Sequence, residues 1–190
     1  MFKSCFFTLA SIASLNLIGL SAEESTNEQV KEVQASTQHL NQEKLEVLVK
    51  SIFKDSGKKW KLRTKVEGKK GNSAVYIPEE QSGNESFGVF VGEGNRALSV
   101  KSEQIIQDTL EKLHPGSRVV DFRVIKKDDQ SLFAEWTIEN ISDPDLKSHS
   151  WIHGINCDEG LVILQYSNDM DKVDEARKTW EPLLEHASLK

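Results

Sequence analysis

Cysteine is almost missing from this sequence. Only Cys5 and Cys157 occur among 190 residues, so no disulfide framework is available to hold a fold together. Long apolar runs are confined to the N-terminus, and no later stretch is apolar enough to cross a bilayer. Positive charge is in deficit too, with 24 Lys and Arg against 30 Asp and Glu, a net charge of −6. An acidic surface repels nucleic acid and anionic lipid, which removes both from the expected partners. No G-x-S-x-G occurs, so the nucleophile elbow of an α/β-hydrolase is excluded. No internal repeat is present either.

What the N-terminus does contain is a secretion pattern. Lys3 precedes an apolar run from Cys5 to Leu20, and Leu20-Ser21-Ala22 gives a small-residue exit before acidic residues. This predicts a signal peptide over 1–22, cleaved near Ala22. Thr8, Ser11, Ser14 and Asn16 interrupt the run, which is short of the roughly 20 apolar residues a membrane span needs. Cys5 lies before the run, whereas a lipid-attachment cysteine follows it. Removing the first 22 of the 190 residues leaves 168, and losing Lys3 takes the net charge from −6 to −7. Cys157 then stands alone, so the exported chain must be stabilised by its core. That suits a Gram-negative periplasm better than animal extracellular space. Two sequons, Asn84-Glu85-Ser86 and Asn140-Ile141-Ser142, would matter only in a eukaryote.

Residues 23–42 are rich in Glu, Ser, Thr, Gln and Asn and read as a flexible polar tether. A single α+β domain is expected over 43–190. Leu45, Leu48, Val49, Ile52 and Phe53 share one helical face, with Asn41 to cap the start and Gly57 the end. "WKLRTKVE" alternates Trp60, Leu62, Thr64 and Val66 against Lys61, Arg63, Lys65 and Glu67, which predicts one buried and one solvated face. "SAVYIP" and "SFGVFV" complete three strands. "SEQIIQDTLEKLHPG" reads as a second helix, capped by Ser102 and stopped at Pro115-Gly116. Four strands follow, "RVVDFRVIKK", "SLFAEWTIEN", "SHSWIHGI" and "LVILQYS"; the connections after the first and third are too short for parallel crossovers, so an antiparallel meander is expected. The last helix, "DKVDEARKTWEPLLEHAS", places Val173, Ala176, Trp180, Leu183, Leu184 and Ala187 on one face, with Pro182 expected to kink it or to mark a fresh first turn. The fold class is therefore α+β, an antiparallel sheet of about six to seven strands with helices packed on it.

Several motifs invite a chemical reading. "GEGNRA", Gly92 to Ala97, matches a dinucleotide fingerprint, but no βαβ unit surrounds it, so a polar loop and no cofactor are expected. "NDMDKVDE", Asn168 to Glu175, lacks the glycine and distal glutamate of a calcium loop. Acids in the first turn of a helix explain it without a metal. Glu135 and Glu139 stand roughly 13 Å apart along a strand, too far for paired glycosidase carboxylates, and read as a solvated face. Trp136, on the opposite face, reads as core, with an indole N–H that needs a partner. Cys157, in a turn-like "NCDEG", has acids beside it that disfavour a thiolate. In "KSHSWIHGINC", His149 and His153 are spaced as a helical metal pair. On a strand they stand roughly 13 Å apart with Trp151 between them, too far for one ion. No metal and no catalytic residue is assigned.

A strand ending in "LQYS", a short acidic break, and an amphipathic helix closing on "LLEHASL" together resemble the Mog1/PsbP-like families. Those are α/β/α sandwiches in which a terminal helix packs on an antiparallel sheet. The resemblance extends in element order over most of 43–190 and in residues only over the tail. A cystatin-like or NTF2-like cone is the alternative. Members of the resembled families range from a nuclear-transport cofactor to photosystem extrinsic subunits, so the resemblance implies a fold and carries no functional residue across. The expected function is that of an exported, non-catalytic accessory protein acting through protein or small-ligand contacts, with Trp136, His149, Trp151 and His153 as its binding residues. One alternative is a periplasmic enzyme using His149, His153 or Glu135 as acid or base. Another is a secreted effector of an intracellular bacterium.

Overall fold

The computed structural model describes residues 42–68, 71–80, 83–93, 116–143, 145, 147–157 and 160–189. Helix α1 (Gln42–Asp55) leads into β1 (Trp60–Gly68), β2 (Gly71–Pro78) and β3 (Ser86–Glu93). Then come β4 (Ser117–Lys127), β5 (Ser131–Asn140), β6 (Lys147–Cys157) and β7 (Gly160–Asp169). A single 3₁₀ turn (Met170–Lys172) delivers the chain into α2 (Val173–Glu185). The expected signal peptide, tether, Asn41 cap, helix from Ser102 and most of the "GEGNRA" stretch lie outside the described residues.

All seven strands form one antiparallel sheet in the order β1-β2-β3-β7-β6-β5-β4. Two meanders are thus joined where β3 pairs with β7, and the sheet ends at β1 on one side and β4 on the other. The hairpin between β1 and β2 needs glycine at Gly71. Its φ is +145°, and a Cβ there would come 2.3 Å from the Val91 carbonyl oxygen, a closeness only glycine permits.

The expected apolar stripe of α1 faces the sheet: Val49 and Ile52 are buried, and Leu45, Leu48 and Phe53 pack against the same cluster. Gly57, at φ +70°, ends the helix as anticipated. From α2, Val173, Ala176, Trp180 and Leu184 join that cluster, so both helices lie on one face of the sheet. The helix passes through Pro182 without breaking, and the His186 N–H donates to the Pro182 carbonyl at 3.2 Å. The opposite face carries Val75, Phe90, Ala134, Trp136, Ile138, Ile152, Leu161 and Ile163.

The reading of β1 needs correction. Leu62 and Val66, expected on a buried face, are 53% and 52% exposed. Pairing with β2 shifts register between Leu62 and Thr64, so Arg63 is an extra residue that breaks the two-residue period. As the sheet's end strand, β1 also has a neighbour on only one side. Cys157 is likewise not in an open turn but closes β6, buried within the helix-side core.

Candidate functional site

Register brings the chemically capable residues to one place. β5 and β6 pair Phe133 with His153, Glu135 with Trp151 and Thr137 with His149. Phe133 and Trp151 belong to the helix-side core, so strand alternation puts Glu135, Thr137, His149 and His153 on that face too. The solvated face expected for Glu135 and Glu139 is therefore wrong: they are 3% and 4% exposed. The five interior strands β2, β3, β7, β6 and β5 have neighbours on both sides, and apolar cores lie on both sheet faces.

A carboxylate buried this deeply must be paired. Glu135 accepts from Arg123 Nε at 2.8 Å through one oxygen. Its other oxygen accepts from Arg177 Nη1 at 2.8 Å and from His149 Nε2 at 3.2 Å. Arg123 comes from the neighbouring strand β4, directly opposite Glu135. Arg177 descends from α2, where it also bonds Glu181, four residues on, at 2.8 Å. Its guanidinium lies 5.4 Å from the Trp151 ring centroid, close enough for a cation–π contact. The second nitrogen of His149, Nδ1, meets Thr137 Oγ1 at 2.8 Å.

Burial pushes the Glu135 carboxyl up, but Arg177 foremost, with His149 and Arg123, outweighs it and holds the group below its usual range. Burial pulls His149 down, and the charge and hydrogen bond of Glu135 restore only part of the loss. The imidazole is then neutral at pH 7, donating from Nε2 to Glu135 and accepting at Nδ1 from the Thr137 hydroxyl. This reproduces the connectivity carboxylate–imidazole–hydroxyl of a nucleophilic triad. Thr137 is 5% exposed, however, and its hydroxyl points at the ring beneath the helix layer. Every polar atom of the chain Glu135–His149–Thr137 is engaged within the fold.

His153 stands apart from this group. Its Nδ1 donates to the Leu184 carbonyl near the end of α2, its ring meets Phe133, and burial lowers its pKa despite that bond. The enzyme alternative therefore finds Glu135 and His149 together and His153 elsewhere. Trp151, fully buried, touches the His149 ring at 4.3 Å between centroids. Trp136 is 2% exposed on the other face. Contrary to expectation, its Nε1–H finds no hydrogen-bond acceptor among the described residues, and neither does that of Trp151. Among the described residues no three metal-ligating side chains gather.

A second buried acid lies on the same face. Glu85 accepts from Lys58 Nζ at 2.7 Å and from the Tyr166 hydroxyl at 3.0 Å, while Asn168 Nδ2 donates to that hydroxyl at 3.0 Å. Burial and the Glu85 charge push the Tyr166 pKa far up. Asp169, from the acidic "NDMDKVDE" stretch, accepts from the Asn84 backbone N–H and side-chain amide at 3.0 and 2.7 Å. Asp169 thus ties the end of β7 to the segment leading into β3, while Asn168 supports Tyr166 on its own strand.

Sequence reasoning missed Arg123, Arg177 and Thr137. Only the Arg177–Glu181 spacing of i, i+4 on a helix was a local signal; the rest depends on a register that no local pattern specifies.

Neither a protein-family model nor a curated protein matches the sequence. Among solved structures, the chain is similar in fold to the solution structure of cyanobacterial PsbP (CyanoP) from Synechocystis sp. PCC 6803. The identity is 11%, the match covers 67% of this chain and 79% of that one, and the TM-score is 0.45.

Proposed function

We propose that this chain is an exported, non-catalytic accessory protein that works by contact with a partner. The observation that carries this reading is the saturation of the Glu135 cluster. Both carboxylate oxygens and both imidazole nitrogens of His149 are engaged. A general base must reach substrate directly or through a hydroxyl that substrate can approach, and the Thr137 hydroxyl belongs to a residue only 5% exposed. The cluster instead joins strands β4, β5 and β6, and through Arg177 it anchors α2 to the sheet.

The order Glu135–His149–Thr137 favours a second reading, hydrolysis through a threonine nucleophile uncovered when α2 lifts. One experiment separates the two. Ester, peptide and glycoside substrates are offered to the full chain, to His149→Gln and to Thr137→Val, with each variant's melting temperature measured alongside. The accessory reading expects no turnover that depends on His149 or Thr137. Turnover by wild type that disappears in a folded His149→Gln variant would overturn it. Cell fractionation with N-terminal sequencing tests the export half, which requires a mature chain beginning just after Ala22 in the periplasm or, for an effector, beyond it.

A further inference from the structure

The edge strand β1 and the two residues before it form a basic stretch in an acidic chain. Residues 58–67 read "KKWKLRTKVE", five cations and one anion. In a chain of net −6, this stretch holds +4 and everything else −10. Its strand, β1, lies at the end of the sheet with β2 on one side only. Its outward row of backbone N–H and C=O groups therefore has no strand partner among the described residues. Lys58 is bonded to Glu85, and Lys65 to Glu67 on its own strand at 2.7 Å. Lys59, Lys61 and Arg63 have no ion-pair partner among the described residues, and Lys59 and Lys61 are exposed.

Lysines on an edge strand commonly serve only to prevent aggregation. A purely protective edge would carry charge without apolar surface. β1 instead pairs its cations with Leu62 and Val66, each more than half exposed. Backbone groups open to pairing, apolar side chains and unneutralised cations are together the three features by which an edge strand captures an extended peptide.

We propose that β1 is a docking edge for an extended, acidic peptide segment of a partner protein, which adds to the sheet as an eighth strand. Charge complementarity selects the occupant. A membrane or a nucleic acid duplex meets a broad area and would face the −10 of the remaining surface, whereas a single strand meets the edge alone. Main-chain pairing supplies the register, Leu62 and Val66 supply apolar contact, and Lys59, Lys61 and Arg63 favour acid over base. This rests on the accessory reading and names its partner class. The two fail separately, because His149-dependent turnover would sink that reading, while the following test concerns β1 only.

The isotope-labelled full chain is titrated with a ten-residue peptide of alternating glutamate and valine. Amide shifts and new hydrogen-exchange protection are expected to centre on residues 60–68. The affinity should fall at least ten-fold in Lys61→Glu/Arg63→Glu, and similarly between about 50 and 500 mM salt. Both substituted residues lie outside the packed cores, so the melting temperature of the variant should be unchanged. The same peptide N-methylated at every residue has no backbone N–H left to pair and should bind at least ten-fold more weakly. Absence of binding, undiminished binding to the double variant, or equal binding of the N-methylated peptide would each overturn the proposal. So would shifts of β1 by anionic phospholipid vesicles or duplex DNA where the peptide gives none.

Discussion

The two edge strands begin from similar compositions and end in opposite roles. β4 carries Arg118, Arg123, Lys126 and Lys127 against one acid, Asp121, and β1 carries Lys61, Arg63 and Lys65 against Glu67. Both are bulged, β1 once and β4 twice. On β4 the cations turn inward. Arg118 bonds the buried Glu139, Arg123 bonds the buried Glu135, and Lys126 lies 3.8 Å from Glu185 beside the end of α2. On β1 two of the three cations meet no anion among the described residues. The difference lies in the neighbour: β5, beside β4, presents glutamates on the helix face, whereas β2, beside β1, presents none. Edge charge on one side is therefore part of the fold, and on the other it is left free for something outside it.

The sharpest way to break this comparison is Glu135→Ala. It strands Arg123, Arg177 and the buried His149 at once, and the expected loss is about 3–5 kcal/mol in denaturant unfolding. Lys61→Gln on β1, by contrast, should move stability by no more than about 0.5 kcal/mol.

Acid provides the next largest effect, with its sign fixed by the two buried histidines. Their folded pKa values lie below the ordinary 6.5, so below about that pH the unfolded chain takes up protons that the folded one refuses. Stability is complete above this range and falls as pH drops through it. Glu135 is depressed below 4.5, so its contribution holds down to that region and is lost on further acidification. Urea midpoints measured from pH 8 to 3 should show two successive declines. His149→Gln/His153→Gln should flatten the first and leave the second in place.

A smaller contrast lies within β4 itself. Arg118→Gln leaves Glu139 with Lys147 at 3.1 Å, whereas Arg123→Gln leaves Glu135 more deeply committed to Arg177 and α2. The melting temperature should drop less for the latter, because Glu135 keeps two partners, and equal drops would mean that the helix adds nothing to the Glu135 site.

How much of this was legible beforehand depended on the range of the interaction that decides each feature. The stripes of α1 and α2 were readable because a 3.6-residue period is local, and the meander β4 to β7 because short connections force antiparallel neighbours. Glu135 and Glu139 misled because alternation of polar and apolar residues normally marks a half-wet strand. Here the polar half is neutralised by Arg123, twelve residues away, and by Arg177, forty-two away. β1 misled in the reverse sense: Leu62 and Val66 fit a buried face, but the bulge at Arg63 and the strand's place at the sheet's end expose them. His149 was singled out as a binding residue, and its contacts with Glu135 and Thr137 became visible only with the register of β5 against β6.

The stacked rings of the helix-side core have a use of their own. Tyr166 lies flat on Trp180 with centroids 4.0 Å apart and planes 10° from parallel, and Trp60 meets the same Trp180 edge-on at 5.5 Å. Trp180 comes from α2, Tyr166 from β7 and Trp60 from the edge strand β1. Chromophores this close couple their electronic transitions, so the packing of the last helix on the sheet is written into the near-ultraviolet circular dichroism and the indole fluorescence. The chain thus carries its own optical gauge of whether α2 is seated, without any label attached.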